Sequence, residues 1–325
     1  MDWIVNKHQE SMSLAGTSDQ ERLVKVLKRF CVSEKQIGKR FFETDREKIY
    51  QLNTHQLSGL GIDERHRYFQ ERAVDVMGEF YRDQLKPDHL VHVTCTGYLS
   101  PSAPQIYFNK MDQAPEITHA YHMGCYASLP AVRLGEALSF SRQQKVDIVH
   151  TEMCSLHLNP ADHTPEQMVV QTLFADGHIK YSVSPKTLGR RFEIKQIKEK
   201  IIPDSANDMT WSPGPVSMQM SLSKEVPEKI RGSLAEFVRE YPNKCLFAIH
   251  PGGPKIIDLI QNQLELSDEQ VYFSRKVLAE RGNMSSATLP HVWKEILDSD
   301  YEGDVISLAF GPGLTVFGGH FEAMR

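Results

Sequence analysis

Three residue types that can cooperate in acyl transfer occur in the order Cys125, His250 and Asn283. A cysteine attacks a carbonyl as its thiolate and needs an imidazole to hold that charge. Thioester chemistry also needs a hydrogen-bond donor where oxyanion charge develops, a role open to His and Asn. Cys125 stands in Gly124-Cys125-Tyr-Ala, between the alternating run at 117–123 and a stretch in which Ala127, Ala131, Leu134 and Leu138 recur at helical spacing. This reads as a strand running into a helix with the thiol at the junction. There the unpaired N–H groups and the positive end of the helix dipole favour thiolate. Gly124 suits the tight turn before it. Taken alone, Cys125 reads equally well as a small buried hydrophobe. A papain-type hydrolase is disfavoured, because there is no Gln ahead of the cysteine and no Cys-Gly-Ser-Cys-Trp run.

The elements that must carry these residues alternate. Ser18-Asp-Gln-Glu21 has capping-box form, and Leu23, Val26 and Phe30 follow at helical spacing, so a helix is expected over 18–32. Its other face carries Arg22, Lys25, Lys28 and Arg29, a stripe suited to the phosphates of coenzyme A or an acidic carrier protein, or simply to solvent. A second helix is expected over 72–85, strands over 90–96 and 145–152, and a strand, turn and strand over 171–183. The proline-rich stretch 202–215 reads as a connection between two halves, 1–202 and 203–325. Beyond it come a strand at 217–222, a helix at 226–241, the apolar strand 244–250 ending on His250, and Pro251-Gly-Gly-Pro254. Helices at 268–281 and up to 297 follow, separated by Gly282-Asn283-Met-Ser-Ser-Ala287, and then the closing strands. Alternating strands and helices imply a layered α/β fold, with ligands at the carboxyl ends of the strands.

The totals exclude several classes. The 325 residues carry 37 basic and 42 acidic side chains, net charge −5, so no basic excess draws nucleic acid. No signal-peptide core or run of 18 apolar residues appears, and a soluble cytoplasmic protein is expected, with no membrane partner. The five cysteines are scattered without CxxC spacing, which suggests neither a disulfide framework nor a zinc site.

The chain resembles the type III polyketide synthases, the chalcone and stilbene synthase group of the thiolase superfamily, as a bacterial-type member, across nearly its whole length. The resemblance is carried by Cys95-Thr-Gly-Tyr-Leu-Ser-Pro-Ser102, Gly124-Cys125-Tyr-Ala, Leu173-Phe-Ala-Asp-Gly177, Val226-Pro227, Ile249-His250-Pro-Gly-Gly-Pro254, Gly282-Asn283-Met-Ser-Ser-Ala287 and Phe310-Gly-Pro-Gly313. It implies a thiolase fold of two pseudo-duplicated halves in αβαβα layers, a homodimer, and no metal or redox cofactor. It also implies a decarboxylative Claisen condensation of malonyl-CoA onto an acyl group held on Cys125. The acyl donor is acyl-CoA or acyl carrier protein, and the product would be a pyrone, resorcinol or phloroglucinol. By this analogy His250 pairs with the thiolate and, with Asn283, stabilises the enolate, while Phe174 gates the cavity. Residues 1–17 leave little room for the family's first strand, which is expected to be missing, shortened or replaced. Ser128 replaces a usual glycine, and Pro130 enters the first turns of the nucleophile helix.

Further cavity candidates are Glu152, Cys154 and His157, Met220 near a second gate position, Ser285 behind the nucleophile, and Ser100. Ser100 lies where plant members place a methionine reaching into the partner's cavity. Core packing competes for the strand face of Met218, Met220 and Leu222, and helix capping for Ser285. His150, Cys154 and His157 also resemble metal ligands, a reading set aside because strand-to-loop context spoils the spacing. His122 and His178 read as satisfied structural histidines. Two other functions remain open: a single condensation or acyl transfer of the ketoacyl synthase III kind on carrier-protein thioesters, and a non-catalytic partner of a related synthase.

Overall fold

A computed structural model describes residues 2–17, 25, 32–186, 189–238 and 244–325. Two four-stranded sheets organise it. In the first, β1 (His89–Thr94) lies between β2 (Glu116–Tyr121) and β3 (Val146–Met153), all parallel, and β4 (Asp176–Val183) joins β3 antiparallel. In the second, β5 (Arg191–Ile201) pairs with β10 (Thr315–Met324), β10 with β9 (Gly303–Gly311), and β9 in parallel with β8 (Leu246–Ile249). Strand β1 is buried along its whole length and β9 along most of it; β9 accordingly reads as a nearly continuous apolar run, whereas β1 also buries His89, His92 and Thr94.

The helix that follows Cys125 (Ser128–Arg142) and the helix Thr288–Asp298 lie between the sheets. Leu129, Ala131, Val292 and Ile296 share one core cluster with Val91 and Ile148 of the first sheet and Val305 and Phe317 of the second. On the outer side of the first sheet, the helix Ile62–Tyr81 packs Met77 and Tyr81 against Leu90 and Val149. On the outer side of the second, helices Val226–Val238, Pro254–Gln263 and Asp268–Arg281 cover Ile249, Leu308 and Val316. The result is the expected five-layered α/β architecture.

Several boundaries differ from those expected. Helix Ile62–Tyr81 begins ten residues before Arg72, because Gly61 and Glu64 form a cap there. Residues 171–173, expected in a strand, end the helix Pro165–Leu173: Thr164 caps it through the Gln167 N–H and Pro165 suits its first turn. The stretch 202–215 is more than a connection, since β6 (Met209–Pro213) pairs within it against β7 (Met218–Leu222). Strand β5 precedes residue 203 yet hydrogen-bonds to β10 in the second sheet. At the start, residues 2–14 form a helix. Most of the helix expected over 18–32, with Arg22, Lys28 and Arg29, lies outside the described residues, and Lys25 is exposed.

Candidate active site

Cys125 sits in the turn between β2 and the central helix. Two glycines make that turn possible. Gly124 has φ +82°, and a Cβ there would stand 2.4 Å from Pro312 Cδ; a Cβ at Gly311 would stand 2.5 Å from the Tyr126 ring. The loop 310–313 therefore presses directly on the nucleophile turn. Pro130 costs the helix no hydrogen bond, because it occupies the third helical position, where N–H groups have no partner within the helix.

The sulfur is buried, and burial pushes the Cys125 thiol up to about 12. Contacts with the Ser285 and Asn283 side chains work against that rise; Ser285 Oγ lies 4.0 Å from the sulfur. Cys95 sits beside it, its sulfur accepting the Gly124 N–H at 3.0 Å.

His250 follows β8, its own N–H bonded to Leu308 O at 2.7 Å. Both ring nitrogens are buried without a hydrogen-bond partner among the described residues, and desolvation lowers the imidazole to about 3. Asn283 is fixed by its backbone to the gate segment: its N–H donates to Leu173 O at 3.1 Å and its carbonyl accepts from Ala175 N–H at 2.8 Å. Its side chain accepts from Ser285 N–H at 2.9 Å and donates Nδ2–H to Gly252 O at 3.3 Å. A Cβ on Gly252 would lie 3.9 Å from His250 Nε2. Gly252 thus joins the surroundings of His250 and Asn283, and Asn283 reaches on to Cys125. The structure brings the three residues into one buried neighbourhood.

A cavity of about 560 Å³, partly open to solvent, extends from Cys125. Phe174, Cys154, His157, Met220 and Ser285 line it as expected, together with Cys95, Gln167, Gln171, Trp211 and Met218. His250 and Asn283 lie outside this lining. The His157 ring is fully engaged: Nε2 bonds to Thr96 O at 2.8 Å and Nδ1 accepts the Met218 N–H at 3.1 Å, so the imidazole is neutral with its proton on Nε2. Burial lowers it to about 3.

Other expected residues fall elsewhere. Glu152 does not line the cavity. Its carboxylate is buried behind the wall, accepting from Cys95 N–H at 3.0 Å, Thr96 Oγ1 at 2.8 Å and Ser286 Oγ. Desolvation raises its pKa. Ser100 is exposed and away from this cavity. His150 lies between Ser286 Oγ and Tyr181 OH, each at 3.0 Å. His122 bonds Tyr98 OH at 2.7 Å, whereas both ring nitrogens of His178 lack partners among the described residues, contrary to the expectation that it is satisfied.

Trp211 escaped the sequence reading. It lies on β6, within the stretch read as a connection, and its indole N–H donates to Cys95 O at 2.7 Å. An aromatic residue alternating with polar ones at 209–213 was the available signal.

Comparison with known proteins places this geometry. The family profile of chalcone and stilbene synthases, C-terminal domain, matches residues 193–323. Among solved structures, the chain is similar to the C-terminal type III polyketide synthase domain of Steely1 from Dictyostelium, at 24% identity and TM-score 0.83, covering 99% of this chain and 95% of that one. It is also similar to PKS-I from the brown alga Ectocarpus siliculosus, at 21% identity and TM-score 0.81, covering 98% and 94%. A third is 1,3,6,8-tetrahydroxynaphthalene synthase from Streptomyces coelicolor A3(2), a bacterial type III polyketide synthase, at 21%, 0.82, 99% and 95%. Residues 193–323 therefore match the chalcone and stilbene synthase C-terminal domain, in a chain whose fold throughout is that of the solved type III polyketide synthases.

Proposed function

We propose that the chain is a condensing enzyme that loads an acyl group from a coenzyme A thioester onto Cys125 and extends it with malonyl-CoA. Residues 1–202 supply the nucleophile, and 203–325 supply His250 and Asn283. The Cys125 proton passes to His250, the sulfur attacks the thioester carbonyl, and coenzyme A leaves as its thiol. Malonyl-CoA then loses carbon dioxide, and the enolate oxygen accepts hydrogen bonds from His250 and the Asn283 amide. The enolate carbon attacks the acyl carbonyl and releases Cys125. The observation that carries this reading is that Asn283 joins Cys125 to the Gly252 turn, which follows an imidazole whose buried nitrogens have no partner among the described residues. A buried polar group without a partner is costly, so its retention beside a thiol fits a task in catalysis.

The mostly apolar cavity fits the same chemistry. It disfavours the malonyl carboxylate over its neutral product, carbon dioxide.

The test is incubation with malonyl-CoA and a panel of acyl-CoA and acyl-carrier-protein thioesters, reading product masses and intact protein mass. The expected result is an acyl adduct that Cys125→Ala abolishes, with products longer than the starter. No adduct with any thioester would overturn the reading in favour of a non-catalytic subunit. An adduct without carbon dioxide release would replace condensation by acyl transfer.

A further inference from the structure

One buried cation lies outside the chemistry described so far. Arg65, on the helix Ile62–Tyr81, is 0% exposed and has no carboxylate partner among the described residues. Its donors go to oxygens instead. Nε bonds Leu60 O at 2.7 Å and Nη2 bonds Ser58 O at 2.6 Å. Nη1 reaches Leu156 O, Leu158 O at 2.9 Å and Tyr50 OH at 3.4 Å. Tyr50 stacks under the guanidinium, 5.0 Å from ring centre to carbon, and gives its own hydroxyl hydrogen to Ser155 O.

Three of the five carbonyls gripped this way, those of Ser155, Leu156 and Leu158, belong to or directly follow the 3-10 turn Cys154–His157; the other two, of Ser58 and Leu60, lie in the loop before the helix. Cys154, His157 and Leu158 are cavity wall. A charge buried without a counter-ion is expensive, and only dense hydrogen bonding to dipoles makes it tolerable. Here that cost goes to tying the Cys154–His157 turn to the 58–60 loop. Nη1 alone reaches both flanks of His157 while Nε and Nη2 hold the 58–60 loop, a spread of donors in fixed directions that a point-charge ammonium cannot match. His157 in turn spans from Thr96 O to the Met218 N–H, so the position of the turn also sets where β7 and its Met220 close the cavity.

We propose that Arg65 is a positioning residue: through Leu156 and Leu158 it fixes the His157 wall of the cavity and thereby the length of acyl chain the cavity accepts. The second half of this statement rests on the condensing-enzyme reading; the first half does not.

The experiment compares wild type with Arg65→Lys and with Tyr50→Phe, a milder change that removes only the hydroxyl holding Ser155 O. Folded fraction is checked by thermal unfolding. Each protein is treated with N-ethylmaleimide under native conditions, and the rate at Cys154 is followed by peptide mass. Product lengths from malonyl-CoA and the acyl-CoA panel are read in parallel. Arg65→Lys should label at Cys154 about tenfold faster, the factor expected when a charge-assisted hydrogen bond is lost, and Tyr50→Phe should move the same way by less. Product length should shift upward or broaden in both, with KM for long starters changing more than kcat. Cys154 rates within twofold of wild type in a folded variant would overturn the clamp. Faster labelling with unchanged product lengths would overturn its role in chain length. If Arg65→Lys does not fold, Tyr50→Phe decides by the same criteria. If wild type makes no product from any starter, the condensing-enzyme reading fails, and the Cys154 rates alone decide whether Arg65 holds the wall.

Discussion

Phe174 and Asn283 are neighbours in an isolated parallel bridge: the cavity-lining aromatic and the amide beside the nucleophile are tied through their backbones, not through their side chains. The backbone at Phe174 and at Asn283 is therefore held in one register. Gly282, just before the bridge, has φ +77°, and a Cβ there would stand 2.9 Å from Arg40 Cγ and 3.1 Å from Ala175 Cβ. Gly282→Ala should destabilise the fold by about 1–3 kcal/mol. It should also lower condensation more than the loss of folded protein explains. Urea unfolding beside kcat on the same preparation checks both.

Cys125 and His250 are each held neutral by burial, with the thiol up at about 12 and the imidazole down at about 3. On the condensing-enzyme reading, proton transfer from Cys125 to His250 creates two opposite charges that stabilise one another. His250→Ala removes the acceptor, and Cys125 alkylation by iodoacetamide at pH 7 should then slow by about 10²-fold or more. Equal rates in wild type and variant would mean that the thiolate forms without the imidazole.

Trp211 fills part of the cavity and stands 5.5 Å, edge to face, from the His157 ring. Trp211→Ala should open space for bulkier starters, shifting kcat/KM toward them by about 10- to 100-fold relative to acetyl-CoA. Competition assays with paired starters measure the ratio directly.

Acid should weaken this fold steeply. His157 and His250 are lowered to about 3, and His8, His178 and His291 to about 4, in each case chiefly by desolvation. These folded-state values lie below the unfolded value near 6.5. The associated stability is therefore present above pH 6.5 and is lost as pH falls, because the unfolded chain takes up protons that the native chain refuses. Each residue costs about 1.4 kcal/mol by pH 5.5, and five together approach the whole stability of an ordinary domain. Asp176, raised to about 6 by burial, works in the opposite sense, its contribution fading as pH rises through 6. The histidines outnumber it, so the urea midpoint should drop sharply between pH 7.5 and 5.5.

Residues whose role depends on a local motif were legible in the sequence. The Cys125 turn, the His250 strand end and the Asn283 loop each carry glycine or proline signals that mark backbone needing a special conformation. Strand β9 was legible because its buried run Val-Ile-Ser-Leu-Ala-Phe is nearly all apolar; β1 and β3 were legible from the β-branched and apolar residues spread between their buried polar ones. Glu152 was misread because a carboxylate beside a cavity and one satisfied behind its wall look alike until Cys95 N–H, Thr96 and Ser286 are seen converging on it. Arg65 was invisible for a related reason. Its partners are main-chain carbonyls up to 93 residues away, and carbonyls carry no sequence signature. Residues 171–173 read as a strand because the short apolar run Leu173-Phe174 does not by itself distinguish strand from helix, whereas the start signal that identifies the helix, Thr164-Pro165, lies six residues upstream.

The contact between Gly124 and Pro312 bears on how this protein matures. Pro312 follows Cys125 by more than half the chain, so the brace on the sulfur's turn is among the longest-range contacts the polypeptide must make. Until β9 and the loop after it arrive, Cys125 is an ordinary thiol on an unsupported bend. If Cys125 is the nucleophile we propose, its turn is completed only in the last steps of assembly, and a nascent chain halted before β9 carries that cysteine on an unbraced bend.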